Sequence, residues 1–125
     1  MNYLLGTDSV HTTASACDYL EARVDAADTV VAVHVQSAED DTRDGREALN
    51  VATVRLGAIA DIVTEQRTGD PAEELLASAT DHDVDELIIG PRSGEPGSDS
   101  RAGSVATELL SQSSIPVVVV PLEAL

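Results

Sequence analysis

The sequence predicts an α/β fold in which a doubly wound, five-stranded parallel sheet carries helices on both faces. Short apolar segments typical of strands alternate with segments whose apolar residues recur at helical spacing, in the order βαβαβαβαβ. The second and last strand segments, residues 29–35 and 117–120, are nearly all apolar and rich in β-branched side chains. Strands buried on both faces have this composition, so we expect parallel pairing, and right-handed crossovers leave only a few strand orders.

Five strands are predicted from apolar, β-branched runs between turn residues. They cover residues 3–5, 29–35, 62–67, 87–90 and 116–121. In doubly wound sheets, ligands bind beyond the carboxyl ends of strands, where the winding direction reverses. The candidate binding segments are therefore the loops that follow strands: residues 6–9, the stretch after Val35, Gly69 with Asp70, and residues 90–104.

Four helices are predicted between the strands. The first starts at residue 12 or 13, and the second ends near Gly57, because glycine commonly stops a helix. The third is capped by Asp70 and has Pro71 at its first position, and the fourth covers residues 104–111. The side chains expected to face the sheet are Ala14, Cys17, Leu20, Val24, Leu49, Ala52, Leu56, Leu75, Leu76, Ala79, Val105, Leu109 and Leu110.

The chain is strongly acidic. It has 23 Asp and Glu residues against seven basic residues, all of them arginine, and a formal net charge of −16. Nucleic acids and anionic membranes require clustered Lys and Arg, so neither is expected as a partner. Like charges repel at low salt, whereas at molar salt the Debye length is only about 3 Å. We therefore expect a solvated acidic surface suited to a cytoplasm of high salt; the alternative is an acidic docking face for a basic partner.

The core is expected to be aliphatic, because the chain has no Phe, no Trp and only two Tyr residues. The single cysteine, Cys17, lies among apolar residues of the first helix and is interpreted as a buried packing residue and not as a nucleophile. The N-terminus lacks the basic segment and apolar run of a signal peptide. A cytoplasmic location is therefore expected.

Residues 88–104, with the sequence IIGPRSGEPGSDSRAGS, form the most distinctive loop. Gly90 lies at a strand end, and Gly103 and Ser104 lie where the next helix begins. Glycines let backbone N–H groups approach a phosphate, and a helix N-terminus adds partial positive charge. The loop is a candidate phosphate cradle; the alternative is a mobile crossover with Ser104 as a plain N-cap. It is not a P-loop, because the chain has no lysine, and no G-x-G-x-x-G follows the first strand.

This region resembles the universal stress protein family, whose nucleotide-binding members carry G-x2-G-x9-G-(S/T) between the fourth strand and the fourth helix. Gly90 matches the first glycine, nine residues separate position 93 from Gly103, and Ser104 completes the motif. Position 93 departs from it, since it is serine where the motif has glycine. Four further segments are similar to the family: residues 7–9, 33–35, 69–72 and 115–120.

The resemblance implies one universal stress protein domain over residues 1–125, with strand order 3-2-1-4-5, as in Rossmann-like adenine nucleotide alpha hydrolases. It also implies binding of ATP or AMP in a crevice between Asp8 and the loop after Gly90. Asp8 would contact the adenosine or help hold Mg²⁺, and the alternative role for Asp8 is to cap the first helix. Val35 would contact the base through its backbone. The residues implied to bind the nucleotide are Thr7, Asp8, Val35, Ile89, Gly90, Arg92, Ser93, Gly103, Ser104 and Val105.

Two functions remain open because of Ser93. Where the family glycine has positive φ, a serine would be strained by about 1 kcal/mol or more, although Gly94 could shift the turn. The first interpretation is a nucleotide-binding stress-response module that acts in regulation and not as an efficient enzyme. The alternative is a dimeric interaction module of the same fold that has lost nucleotide binding. In either case the family resemblance implies a homodimer through the last strand, between Pro116 and Pro121.

No catalytic residue is predicted. Ser9, Ser93 and Ser104 lack a His–Asp companion in the sequence, so a hydrolase triad is not supported. No pair of histidines has metal-ligand spacing, so no structural metal is expected. His34 lies inside the second strand and is interpreted as a hydrogen-bonded core residue. A phosphatase or nucleotidyl transferase of a related fold is the least favoured interpretation.

Overall fold

A computed structural model describes residues 1–36, 43–91 and 103–122, with the backbone alone at residues 43 and 44. The strands are β1 (Asn2–Gly6), β2 (Thr29–Gln36), β3 (Asp61–Thr68), β4 (Glu86–Ile89) and β5 (Val117–Val119). The helices are α1 (Val10–Glu21), α2 (Arg43–Leu56), α3 (Pro71–Asp81) and α4 (Ser104–Gln112). Strand and helix alternate along the whole described chain, as the sequence predicts.

The five strands form one parallel sheet in the order β3-β2-β1-β4-β5. The central strand β1 pairs with β2 from Asn2 opposite Thr29, and with β4 up to Leu5 opposite Ile88. The predicted doubly wound fold and its strand order are therefore confirmed. Because the chain passes from β1 outward to β3 and then returns to β4, the winding reverses between β1 and β4.

Each face of the sheet is buried under two helices. On the face covered by α1 and α2, Leu5 and Ile88 pack against Leu20 and Leu56, all of them fully buried. The opposite face, under α3 and α4, has its own aliphatic cluster around Leu4, Val31, Val33, Leu75, Leu87 and Leu109. Each fully buried side chain of this size stabilises the fold by about 1.5–3 kcal/mol through removal of apolar surface from water.

Local sequence explains most of the helix boundaries, with two corrections. Helix α1 begins at Val10 and not at residue 12 or 13, because Ser9 caps it by accepting a hydrogen bond from the backbone N–H of Thr12. The predicted Asp70 cap and Pro71 start of α3 are confirmed. The N-cap of α4 is Gly103, so the interpretation of Ser104 as the N-cap is wrong.

The prediction that Leu110 faces the sheet is also wrong, since its side chain is 57% exposed. Of Leu109 and Leu110, only Leu109 is buried, because the face of α4 that packs against the sheet is narrow and consists of Ala106 and Leu109. Strands β2 and β3 are longer than predicted, and β5 is shorter. The long β3 has mostly exposed residues along it, so its apolar pattern in the sequence is weak.

Cys17 is fully buried in the aliphatic cluster, as predicted. Burial raises the pKa of its thiol to about 11, so the reactive thiolate is scarce at neutral pH. No helix within the described segments is long and apolar enough to cross a membrane.

Candidate functional site

The candidate site lies at the carboxyl ends of β1 and β4, which are neighbours in the sheet. The turn after β1 carries Thr7 and Asp8, and the segment after β4 carries Gly90 and Pro91. Because both strands run in the same direction, these segments meet at one edge of the sheet. This is the edge at which open α/β sheets bind ligands.

The turn after β1 is held by a buried hydrogen-bond network around Thr7. The Thr7 N–H donates to the carbonyl of Val33 at 3.0 Å, which continues the pairing of β1 with β2. The Thr7 hydroxyl is 2.7 Å from the hydroxyl of Thr13, and both hydroxyls reach the carbonyl oxygen of Ser9 at 3.0 Å. The polar groups of Thr7 are thus engaged within the protein, and the residue itself is buried.

Asp8 is the exposed member of this turn. Its Oδ1 accepts a hydrogen bond from the Thr12 hydroxyl at 3.0 Å, and that hydroxyl also accepts one from Ser9 Oγ at 3.1 Å. The capping of α1 falls to Ser9 and not to Asp8. The alternative role of Asp8 as a helix cap is therefore wrong, and its exposed carboxylate has one oxygen oriented by Thr12.

His34 lies directly behind this turn. Its Nδ1 is 3.0 Å from the carbonyl oxygen of Thr7. A carbonyl oxygen only accepts, so Nδ1 carries the proton. The side chain is buried, and the prediction of a hydrogen-bonded core histidine is confirmed.

The start of α4 lies directly beyond β4. The N–H of Gly103 donates to the carbonyl of Pro91 at 2.6 Å, so the two ends of the glycine-rich segment meet. No described side chain caps α4, and its first turn contains no acidic residue. Ser104 is exposed and Val105 is half-buried, while Ile89 is buried beneath them in the sheet. The predicted site residues Arg92 and Ser93 lie outside the described residues.

The carboxyl end of β2 carries Val35, which packs partly against the core under α3 and α4. The next residue, Gln36, accepts a backbone hydrogen bond from Gly69. Its side-chain Oε1 is buried and receives no hydrogen bond from the described residues. An unpaired buried acceptor is costly, so this oxygen requires a donor that the described residues do not supply.

The universal stress protein family model matches residues 2–121. The chain belongs to the universal stress protein family. No curated protein sequence matches it significantly.

Solved structures that share the fold of this universal stress protein include the following three. The hypothetical protein MJ0577 is 21% identical and has a TM-score of 0.84, and the match covers 99% of this chain and 97% of the other. A family member from Arabidopsis thaliana with AMP bound is 14% identical over 99% and 93% of the two chains, with a TM-score of 0.71. The universal stress protein from Archaeoglobus fulgidus in complex with dAMP is 18% identical over 96% and 97%, with a TM-score of 0.67.

Sequence reasoning missed the residues that organise the site without facing it. Thr12 and Thr13 belong to the hydrogen-bond network, and Gly45 packs against the ring of His34. The only sequence signal for the threonines was the cluster of hydroxyl residues after Asp8. The part of the chain that the structure describes contains no group of three metal-binding side chains.

Proposed function

We propose that this universal stress protein binds an adenine nucleotide, ATP or AMP, at the carboxyl ends of β1 and β4, and acts as a regulatory module. The observation that carries the proposal is the start of α4, which no described side chain caps and whose first turn has no acidic residue. Gly103 at this start bonds to Pro91 beyond β4, at the same sheet edge as Asp8. The proposed site also includes Arg92 and Ser93. Its described part consists of Thr7, Asp8, Val35, Ile89, Gly90, Gly103, Ser104 and Val105.

The start of α4 suits the phosphate groups. The first N–H groups of a helix have no partner within it, and the helix dipole favours an anion there. The contrast with α3 supports this assignment, because the first turn of α3 carries Glu73 and Glu74 as well as the Asp70 cap. The first turn of α1 also lacks acidic residues, but Ser9 caps that helix, whereas no described side chain caps α4. Its free N–H groups therefore suit a phosphate.

The carboxyl end of β2 suits the base. Val35 offers backbone groups and apolar contact, and the adjacent Gln36 has a carboxamide oxygen with no donor among the described residues. The exocyclic amine of adenine is a donor, whereas guanine has an acceptor at the corresponding position. The chemistry of this strand end therefore favours adenine.

Mg²⁺ fits the proposal through Asp8. Magnesium bound with nucleotides takes one or two carboxylates, phosphate oxygens and water. The carboxylate of Asp8 is exposed at the same edge as the start of α4, and Thr12 orients one of its oxygens. When bound, the ion would neutralise phosphate charge beside this carboxylate. The solved relatives with AMP and dAMP bound are compatible with the same ligand class.

The test is a binding measurement on the purified protein in molar KCl. Mass spectrometry should detect copurified adenine nucleotide, and calorimetry should show tighter binding of ATP or AMP than of GTP. In the variant Ser104→Asp, a carboxylate meets the phosphates at the start of α4, and affinity should fall about tenfold. The matched control is Ser111→Asp, which places the same charge at the exposed far end of α4 and should leave affinity unchanged.

A protein that binds no nucleotide at millimolar concentration would overturn this proposal. In that case the dimeric interaction module, with binding lost through Ser93, would be the better account. The variant Ser93→Gly then locates the cause, because a gain of binding would assign the loss to position 93.

The second part of the proposal is a homodimer through β5. On either side of β5, the carbonyl of Pro116 accepts from Leu87 of β4, and the N–H of Val120 donates to Ile89 of β4. Backbone groups alternate in direction along a strand, so the N–H of Val119 faces away from β4, where no described strand lies. We expect a dimer at micromolar concentration in molar KCl by light scattering. Val119→Pro removes the outward donor and should give a monomer, whereas Val119→Thr keeps the donor and the dimer.

A cytoplasm of high salt is the proposed setting. The charge of −16, with no lysine among the basic residues, supports it. A melting temperature that rises from low salt to molar KCl is expected, and one that falls would contradict this setting.

A further inference from the structure

We infer that His34 is a positioning residue for the nucleotide site, because its ring holds the turn that carries Asp8. This inference rests on the proposed function, since it assigns a role in the same site. Neither nucleotide contact nor catalysis is assigned to His34, which is buried behind the turn and has a relative exposure of 6%.

The first step is the hydrogen bond from His34 Nδ1 to the Thr7 carbonyl, at 3.0 Å. Thr7 is the first residue after β1, and its N–H still pairs with β2 through Val33. Its carbonyl is bonded by the His34 side chain, which also comes from β2. An apolar residue at position 34 would leave this buried carbonyl without a donor, which is costly. The ring therefore fixes the direction in which the chain leaves β1.

The second step is the hydroxyl network that runs from Thr7 to Asp8. The hydroxyls of Thr7 and Thr13 meet at 2.7 Å, and Thr13 also bonds the Ser9 carbonyl through its hydroxyl and its N–H. Ser9 Oγ then donates to Thr12, whose hydroxyl donates to Asp8. A shift of the Thr7 carbonyl would disturb each of these bonds in turn, so the orientation of the Asp8 carboxylate depends on His34.

The third step is the contact between His34 and α2. A Cβ atom at Gly45 would lie 2.6 Å from Cγ and 2.5 Å from Nε2 of the His34 ring, far inside van der Waals contact. The backbone of α2 therefore lies directly against the ring and leaves it no room to turn away from Thr7. Through this contact, the start of α2 and the turn at Asp8 hold each other in place.

The experiment compares two variants at position 34 with a control in the same core. His34→Leu fills the space without a donor, and ATP affinity should fall about tenfold. His34→Asn places an amide N–H near the position of Nδ1, and affinity should stay within about twofold of the original. The control is Leu56→Val, which loosens the same aliphatic cluster at the far end of α2 without touching the turn. It should lower the melting temperature and leave ATP affinity unchanged.

A second readout needs no nucleotide. Long-range proton–nitrogen NMR should show that His34 is protonated at Nδ1, and amide hydrogen exchange at Thr7 and Thr13 should accelerate in His34→Leu more than in Leu56→Val. Equal exchange in both variants, or a proton on Nε2, would overturn the inference even if ATP does bind. If the unmodified protein binds no nucleotide, the proposed function fails, and the NMR and exchange data still decide whether His34 fixes the turn.

Discussion

Gly45→Ala is expected to lower the free energy of unfolding by about 2 kcal/mol, as overpacking in a core does. Helix propensity alone predicts the opposite sign, because alanine stabilises a helix by about 1 kcal/mol relative to glycine. At this position the new methyl group would overlap the buried ring of His34, which is rigid and bonded to Thr7. Displacing the ring costs more than the helix gains. Thermal or urea unfolding in molar KCl measures the difference.

Two further variants identify the cause of the loss. Asn50→Ala also raises helix propensity, but on the exposed side of α2, so it should leave the free energy of unfolding unchanged or slightly raised. When the ring is removed by His34→Ala, the additional change Gly45→Ala should no longer destabilise the protein. Persistence of the full loss in the double variant would show that the ring is not the obstacle.

Arg67→Met is expected to lower the free energy of unfolding by about 2 kcal/mol, because the half-buried carboxylates around it lose their cation. Arg67 in β3 lies 2.9 Å from Glu65 and 3.0 Å from Glu74, and it also reaches Asp81. Glu65 is further bonded by Ser78 and His82. Since β3 is an edge strand, this cluster is its main polar attachment to α3. Chemical unfolding at neutral pH measures the loss.

The acid dependence of stability provides the second readout of this variant. Burial raises the pKa of Glu65, but hydrogen bonds from Ser78, Arg67 and His82 outweigh it and bring the pKa down to about 2, from an ordinary 4.5. Because the folded-state pKa is lowered, ionised Glu65 stabilises the protein above pH 4.5, and this contribution is lost as the pH falls towards 2. In Arg67→Met, the free energy of unfolding should fall less steeply as the pH is lowered from 4.5 towards 2.

Arg55→Met is the matched control for Arg67→Met. Arg55 also bridges two carboxylates, but Asp18 and Glu21 are more exposed than Glu65. Exposed ion pairs contribute little, so this variant should lose less than about 1 kcal/mol. Equal losses of unfolding free energy in the two variants would contradict the claim that the half-buried carboxylates around Arg67 make its removal costlier.

The parts of the fold that could be predicted depend on local sequence. Continuous β-branched runs predicted β2 and β5, and Asp70 with Pro71 predicted the start of α3. The errors arose where neighbouring signals compete. Three polar residues in a row, at positions 7–9, all suit a turn or a cap, and only the geometry selected Ser9 as the cap of α1. The exposure of Leu110 depends on how α4 packs, which local spacing does not fix.

The sequence by itself determined the alternation of strands and helices, the aliphatic core and the edge of the sheet proposed for ligand binding, because periodicity and turn chemistry are local properties. The tertiary structure alone decided which distant residues meet there. His34, Thr7 and Gly45 belong to three separate elements, yet one hydrogen bond and one backbone contact join them behind Asp8. Such contacts depend on how β1, β2 and α2 pack, and the spacing of residues along the chain does not predict that packing.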